Sequence, residues 1–222
     1  MNRDLIQYYK ERAEEYEKIY TKPERQCDLI SAKNILQNLF CEKAIFEIAC
    51  GTGYWTEKIA KTAKSIYATD FNEAVIEIAR QKHLGNKVRF EVADFYNLEF
   101  KQRYEGFFGG FIWSHILLQD LDSFVEIFDR SLVKNGLMVF MDNKFVEGSN
   151  SPITSTDQFG NTYQLRKLEN GTSHLVLKNF PTQELIFDKL SSVAVDINFI
   201  NLEYYWIVSC RLNKPNAKNI IT

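Results

Sequence analysis

The sequence predicts an α/β fold, a doubly wound and mostly parallel sheet with helices on both faces. Three observations carry that expectation. Short apolar runs alternate with helical patterns of roughly ten to fifteen residues along the first 143 positions. The first such run opens into a glycine-rich turn, "FEIACGTGYWT" at residues 46–56. Acids stand at or near the ends of three successive strand-like runs: Glu47, Asp70 and Asp94. Right-handed crossovers leave few ways to arrange such a chain.

Residues 3–20 place Leu5, Ile6, Tyr9, Ala13, Tyr16 and Tyr20 near helical spacing, and Pro23 ends that helix. A second helix is expected from about Asp28 to Leu39. "KAIFEIA" is the first buried strand. "YWTEKIAKTA" reads as helix, "SIYATD" as strand, and "NEAVIEIARQKH" as helix with Asn72 as N-cap. "KVRFEVAD", "GFFGGFIWS" and "GLMVFMDN" follow as strands, with the helix "LDSFVEIFDRSLV" between the last two.

Alternation stops near residue 144. The stretch "NKFVEGSNSPITSTDQFGN" is polar and turn-rich, and two strand-like runs then flank Asn170-Gly171, a hairpin signal. "PTQELIFDKLSSV" reads as helix and "VDINFINLEYYWIVSCRLN" as two final strands. The expected organisation is one domain over 1–222. It comprises N-terminal helices forming a lid over 1–40, a substrate-side insertion with a hairpin over 144–180, and a frayed tail over 214–222.

Composition narrows the function classes. With 222 residues the chain is long enough for one well-covered core. A formal net charge of −2 gives no long-range pull toward nucleic acid or an anionic membrane. No stretch approaches the ~20 apolar residues of a membrane span, and the start has no signal-peptide pattern. Cys27, Cys41, Cys50 and Cys210 are scattered without metal-ligand spacing. A reduced, cytoplasmic protein with neither metal nor disulfide framework is expected. The sequence sets no oligomeric state.

In an open α/β sheet a ligand lies beyond the carboxyl ends of the strands. Gly51 and Gly53 would let backbone approach it. A pyrophosphate prefers a helix N-terminus without a carboxylate beside it, and Glu47 stands there. S-adenosylmethionine carries no phosphate but an ammonium, a sulfonium, a ribose and an adenine, which suits three acids. Glu47, together with Thr56 where a third glycine would stand, argues against a nicotinamide-dependent dehydrogenase.

The segments "EIACGTGYWT", "ATD" and "VADF", followed by "KNGLMVFMD", resemble class I S-adenosylmethionine-dependent methyltransferases. The resemblance implies a Rossmann-like, seven-stranded sheet with an antiparallel last strand. It implies that Glu47, Gly51 and Gly53 bind the methionine part, that Asp70 binds ribose, and that Asp94 with Phe95 holds adenine. Ala49, Trp55, Phe71 and Tyr20 are counted with them. Ala49 stands where many members carry glycine. S-adenosylhomocysteine is the implied product.

For the acceptor, His115 follows the fourth strand and is the candidate to orient it or take its proton; Tyr16 or Tyr20 is placed near the methyl group. His83 and His174 are weaker candidates. If the hairpin loop spans Glu169 to Gly171, Arg166 pairs with His174 and shares a face with Lys178, forming an anion clamp. A two-residue loop would put Arg166 and Lys178 on opposite faces. "EIACGTGYWT" with these two cations is similar to the small-molecule phosphonate O-methyltransferases, which implies a phosphonate or carboxylate acceptor. Two readings stand beside it: a methyltransferase of a neutral small molecule with His115 as base, and a non-catalytic S-adenosylmethionine-binding protein.

Overall fold

The computed structural model describes residues 3–213; the tail over 214–222 lies outside the described residues. Seven strands form one sheet in the order β3-β2-β1-β4-β5-β10-β9. They are β1 (Ala44–Ile48), β2 (Ser65–Asp70), β3 (Val88–Val92), β4 (Tyr104–Gly110), β5 (Leu132–Asn143), β9 (Ala194–Asn201) and β10 (Tyr205–Leu212). The first five pair in parallel, and β10 runs antiparallel to both β5 and β9. A second sheet joins β6 (Ser155–Thr156), β7 (Thr162–Lys167) and β8 (Ser173–Leu177).

The parallel strands are apolar because both faces are covered. Phe46, Phe107, Met138 and Phe140 belong to the core on one side of the sheet. Ile45, Ala68, Phe108 and Val139 belong to the core on the other. Alternate side chains of each strand thus feed opposite layers.

Helix α1 (Arg3–Glu11) ends sooner than its apolar spacing implies. The chain then runs as a 3₁₀ helix over Ala13–Thr21. Ala13, Tyr16 and Ile19 recur every three residues, so three residues per turn align them on one line. Helix α2 (Gln26–Leu39) begins two residues before the expected start. Helix α3 (Tyr54–Ile59) is shorter than its sequence pattern. Asn72 caps α4 (Glu73–Arg80) by accepting from the Ala74 amide. The expected helix over 121–133 forms as α5 (Leu121–Glu126) and α6 (Phe128–Ser131), while Leu132 already pairs with Tyr104 in the sheet. In α7 (Gln183–Ser191) the cap is Thr182, one residue after Pro181.

The hairpin adopts the three-residue arrangement. The Leu168 amide donates to Thr172, the Gly171 amide donates to Leu168, and Gly171 takes φ +87. Arg166 therefore pairs with His174. Among the described residues no helix is long and apolar enough to cross a membrane.

Candidate functional site

Strand order reverses between β1 and β4, and a cleft opens there beyond the carboxyl ends of β1, β2 and β4. Ala49, Gly51, Asp70, Phe71, Phe95 and Phe111 are among its lining residues. The turn from β1 into α3 is held in left-handed conformation at Ala49 (φ 49), Gly51 (φ 55) and Gly53 (φ 76). For Ala49 that conformation costs about 1–2 kcal/mol, which is why glycine suits this position. A Cβ on Gly51 would stand 3.8 Å from the Tyr16 ring, in the gap between turn and roof. Gly53 serves packing: a Cβ there would meet Phe90 at 3.1 Å and Ala79 at 3.2 Å.

Asp70 ties the turn to β2. Its carboxylate accepts from the Gly51 amide at 3.0 Å and from the Asn72 amide at 2.9 Å. Glu47 is buried behind the turn, with Oε2 lacking any hydrogen-bond partner. Burial pushes its carboxyl up to about 8, and the charge of Asp70 adds in the same direction. Phe71 is 41% exposed at the cleft edge, free to cover a flat ligand.

Five of the residues expected to bind cofactor lie away from the cleft wall: Glu47 and Gly53 behind the turn, and Trp55, Tyr20 and Asp94. Trp55 and Tyr20 are core residues, Tyr20 stacking on Tyr54 at 3.8 Å. Asp94 uses its carboxylate locally, accepting from the Tyr96 amide and the Asn97 side chain. Cys50 is buried, which raises its thiol well above the ordinary value and leaves it inert as a nucleophile.

A second cavity adjoins the first. Tyr9, Tyr16, Phe111 and His115 line both. Phe111 holds φ 60, strained for a bulky residue and fixed by its amide donating to Met141. The N-terminal segment roofs the pair. Glu17 accepts from Thr52 of the turn at 2.7 Å, and Glu11 pairs with His174 of the hairpin at 3.1 Å.

His115 sits at the junction with both ring nitrogens engaged. Nδ1 lies 2.6 Å from the Leu177 carbonyl, so it carries the proton and Nε2 accepts from the Tyr9 hydroxyl at 2.8 Å. Burial, with the charge of Lys178 behind it, lowers the imidazole to about 3. Burial likewise raises the Tyr9 phenol, and raises Tyr16 to about 12. At neutral pH none of the three is an effective base.

The second cavity is strongly cationic. Arg12, Lys22, Arg25, Arg166, Lys167 and Lys178 face it, against one lining acid among the described residues, Glu15. Arg166 and Lys178 do share it, as the hairpin register implies. They are not equivalent. Lys178 is buried and donates to Asp142 at 2.9 Å and to Ser114. Burial opposes the ionised form of Asp142, yet Lys178 and its other neighbours hold the carboxyl below its usual value. Arg166 is bound only by neutral groups, Gln164 and Tyr8. Arg12, Lys22 and Arg25 carried no signal in the sequence; they precede the glycine turn and reach the cavity only through the roof. His83 and His174 do not line either cavity.

A family model described as a methyltransferase domain matches residues 45–136. An uncharacterized methyltransferase of Anoxybacillus flavithermus is 24% identical over 151 residues, 66% of this chain and 70% of that protein. A malonyl-(acyl-carrier protein) O-methyltransferase of Bacillus cereus is 35% identical over 80 residues, 34% of this chain and 30% of the relative's length. Among solved structures, a DhpI-SAH complex superposes with a TM-score of 0.79 at 20% identity, covering 96% of this chain and 97% of that one. A DhpI-SAM-HEP complex gives 0.76 at 20% identity, covering 95% and 99%. At these identities the structural likeness is one of fold.

Proposed function

Because this chain is a class I S-adenosylmethionine-dependent methyltransferase, we propose that it methylates a small molecule at an anionic oxygen, a phosphonate or a carboxylate. The observation that carries this reading is the charge of the second cavity, where six cations face one acid.

The cleft residues fit S-adenosylmethionine. The partnerless Oε2 of Glu47, buried behind the turn, suits an ammonium brought close to it, Gly51 holds the left-handed backbone of the turn, and Asp70 on the cleft wall can accept from ribose hydroxyls. Phe71 and Phe95 offer apolar faces for adenine. When bound, the cofactor supplies an electrophilic methyl on a sulfonium, a good leaving group.

The chain's own residues align and shield the transfer. Arg166 orients the acceptor oxygen, and Tyr9, Tyr16 and Phe111 close the junction between cleft and cavity. His115 acts as a positioning residue, holding the Tyr9 hydroxyl. An anionic oxygen is already a nucleophile, so the absence of an effective base among these three titratable groups matches the charge of the cavity. A neutral acceptor would need the very proton transfer that His115, at about 3, performs poorly.

Arg166→Ala tests this reading. The acceptor KM is expected to rise by about tenfold or more, the loss of one charge-assisted contact, with cofactor affinity held. Equal loss of both affinities would remove Arg166 from the acceptor site.

A further inference from the structure

Three arginines line the second cavity, and among the described residues none has a carboxylate within ion-pair distance: Arg12, Arg25 and Arg166. Of the arginines outside the cavity, Arg80 pairs with Glu73 and Arg89 with Glu91, while Arg130 and Arg211 donate to backbone carbonyls at the exposed surface. The three fall into two groups. Arg12 lies over the Tyr8 and Tyr16 rings, and Arg166 donates to the Tyr8 hydroxyl, so both stand near the junction. Arg25 is 5% exposed and rests against the Tyr204 and Tyr205 rings. Its guanidinium donates to Ser149 and to Asn143.

Lys22 joins Arg25. Its ammonium donates to the same Ser149 carbonyl at 2.7 Å. The nearest acid, Glu24, lies at the outer limit of an ion pair with Lys22, 4.0 Å, and accepts from the Ser149 hydroxyl. Burial lowers the Lys22 ammonium, with Arg25 and Arg166 adding repulsion against the pull of Glu24. Two cations thus converge on one carbonyl and two hydrogen-bonding side chains, with Glu24 at the edge as the one acid within ion-pair distance of either. Holding a buried guanidinium this way is costly unless an anion arrives.

We propose that Lys22 and Arg25 form a second anion subsite, and that the acceptor carries two acidic groups. One group sits at Arg12 and Arg166, where the methyl is received; the other is anchored at Lys22 and Arg25. This rests on the anionic-acceptor reading above and names its substrate class more narrowly. The second acid also explains why the cavity carries more cations than one phosphonate or carboxylate requires.

The experiment compares matched acceptors by S-adenosylhomocysteine release. Phosphonoacetate, 3-phosphonopropionate and 4-phosphonobutyrate are each paired with the alkylphosphonate of equal carbon number. At least one diacid is expected to exceed its monoacid in kcat/KM by about tenfold, the worth of one charge-assisted hydrogen bond. Lys22→Ala, at a side chain 40% exposed, is expected to bring that ratio close to one, with an unchanged denaturation midpoint checking that the fold is kept. Diacids no better than their monoacids, or a ratio that survives Lys22→Ala, would overturn the second subsite and leave the anionic reading standing. Turnover with neither kind of acid would overturn both.

Discussion

The Tyr9 hydroxyl donates to His115 Nε2 at 2.8 Å, joining the N-terminal helix to the 3₁₀ turn Trp113–His115 that follows β4, across 106 positions of sequence. The bond fixes the tautomer, because Nδ1 already donates to Leu177. Below an ordinary histidine pKa of about 6.5 the unfolded chain binds a proton that the folded chain refuses until about 3. The folded pKa is depressed, so this contribution to stability is complete above about pH 6.5 and is lost as pH falls toward 3. Chemical denaturation of wild type and His115→Gln across that window is expected to show a steeper acid loss in wild type. Parallel curves would mean that His115 titrates normally.

Glu47 has the opposite sign. Its carboxyl is raised to about 8, so at neutral pH most molecules hold it protonated before ligand arrives. Pairing with the cofactor ammonium would favour the ionised form and release a proton. Calorimetric titration with S-adenosylhomocysteine in buffers of different ionisation enthalpy is expected to report net proton release near pH 7. Glu47→Gln should abolish it and weaken binding by roughly 1–3 kcal/mol. Release that persists in the variant would place the proton elsewhere.

Lys178 has a structural duty beside its place on the cavity wall. Lys178→Met strands the buried Asp142 carboxylate and is expected to cost roughly 3–5 kcal/mol of stability. Adding Asp142→Asn should recover part of that loss, since the two side chains are coupled. Strict additivity in denaturation midpoints would show that they act independently.

The sheet was legible because its strands are buried on both faces, which leaves continuous apolar runs between turn signals. Asn72 and Gly171 could be placed because cap and turn chemistry are local. The hairpin itself was placed by Asn170-Gly171, but its register stayed open between a two- and a three-residue loop, since either puts Gly171 at positive φ; the Leu168–Thr172 bond decides it. Non-local facts were harder to see. A spacing cannot show that Lys178 faces Asp142, 36 positions away, or that Arg25 reaches Ser149. Trp55 looked like a ligand aromatic because it adjoins the turn, and Tyr20 because it stood on the expected lid, yet both belong to the core. The 3₁₀ segment likewise escaped, because a period of three and one of 3.6 diverge little over so few residues.

The most direct measurement is S-adenosylhomocysteine release from the purified protein with paired acceptors of equal size, one acid and one neutral: alkylphosphonates and carboxylates against alcohols, phenols and amines. Turnover with the acids alone is the expected result, as the cationic cavity and the depressed His115 both require. Turnover with neutral acceptors alone would contradict it and would make His115 a base despite its burial.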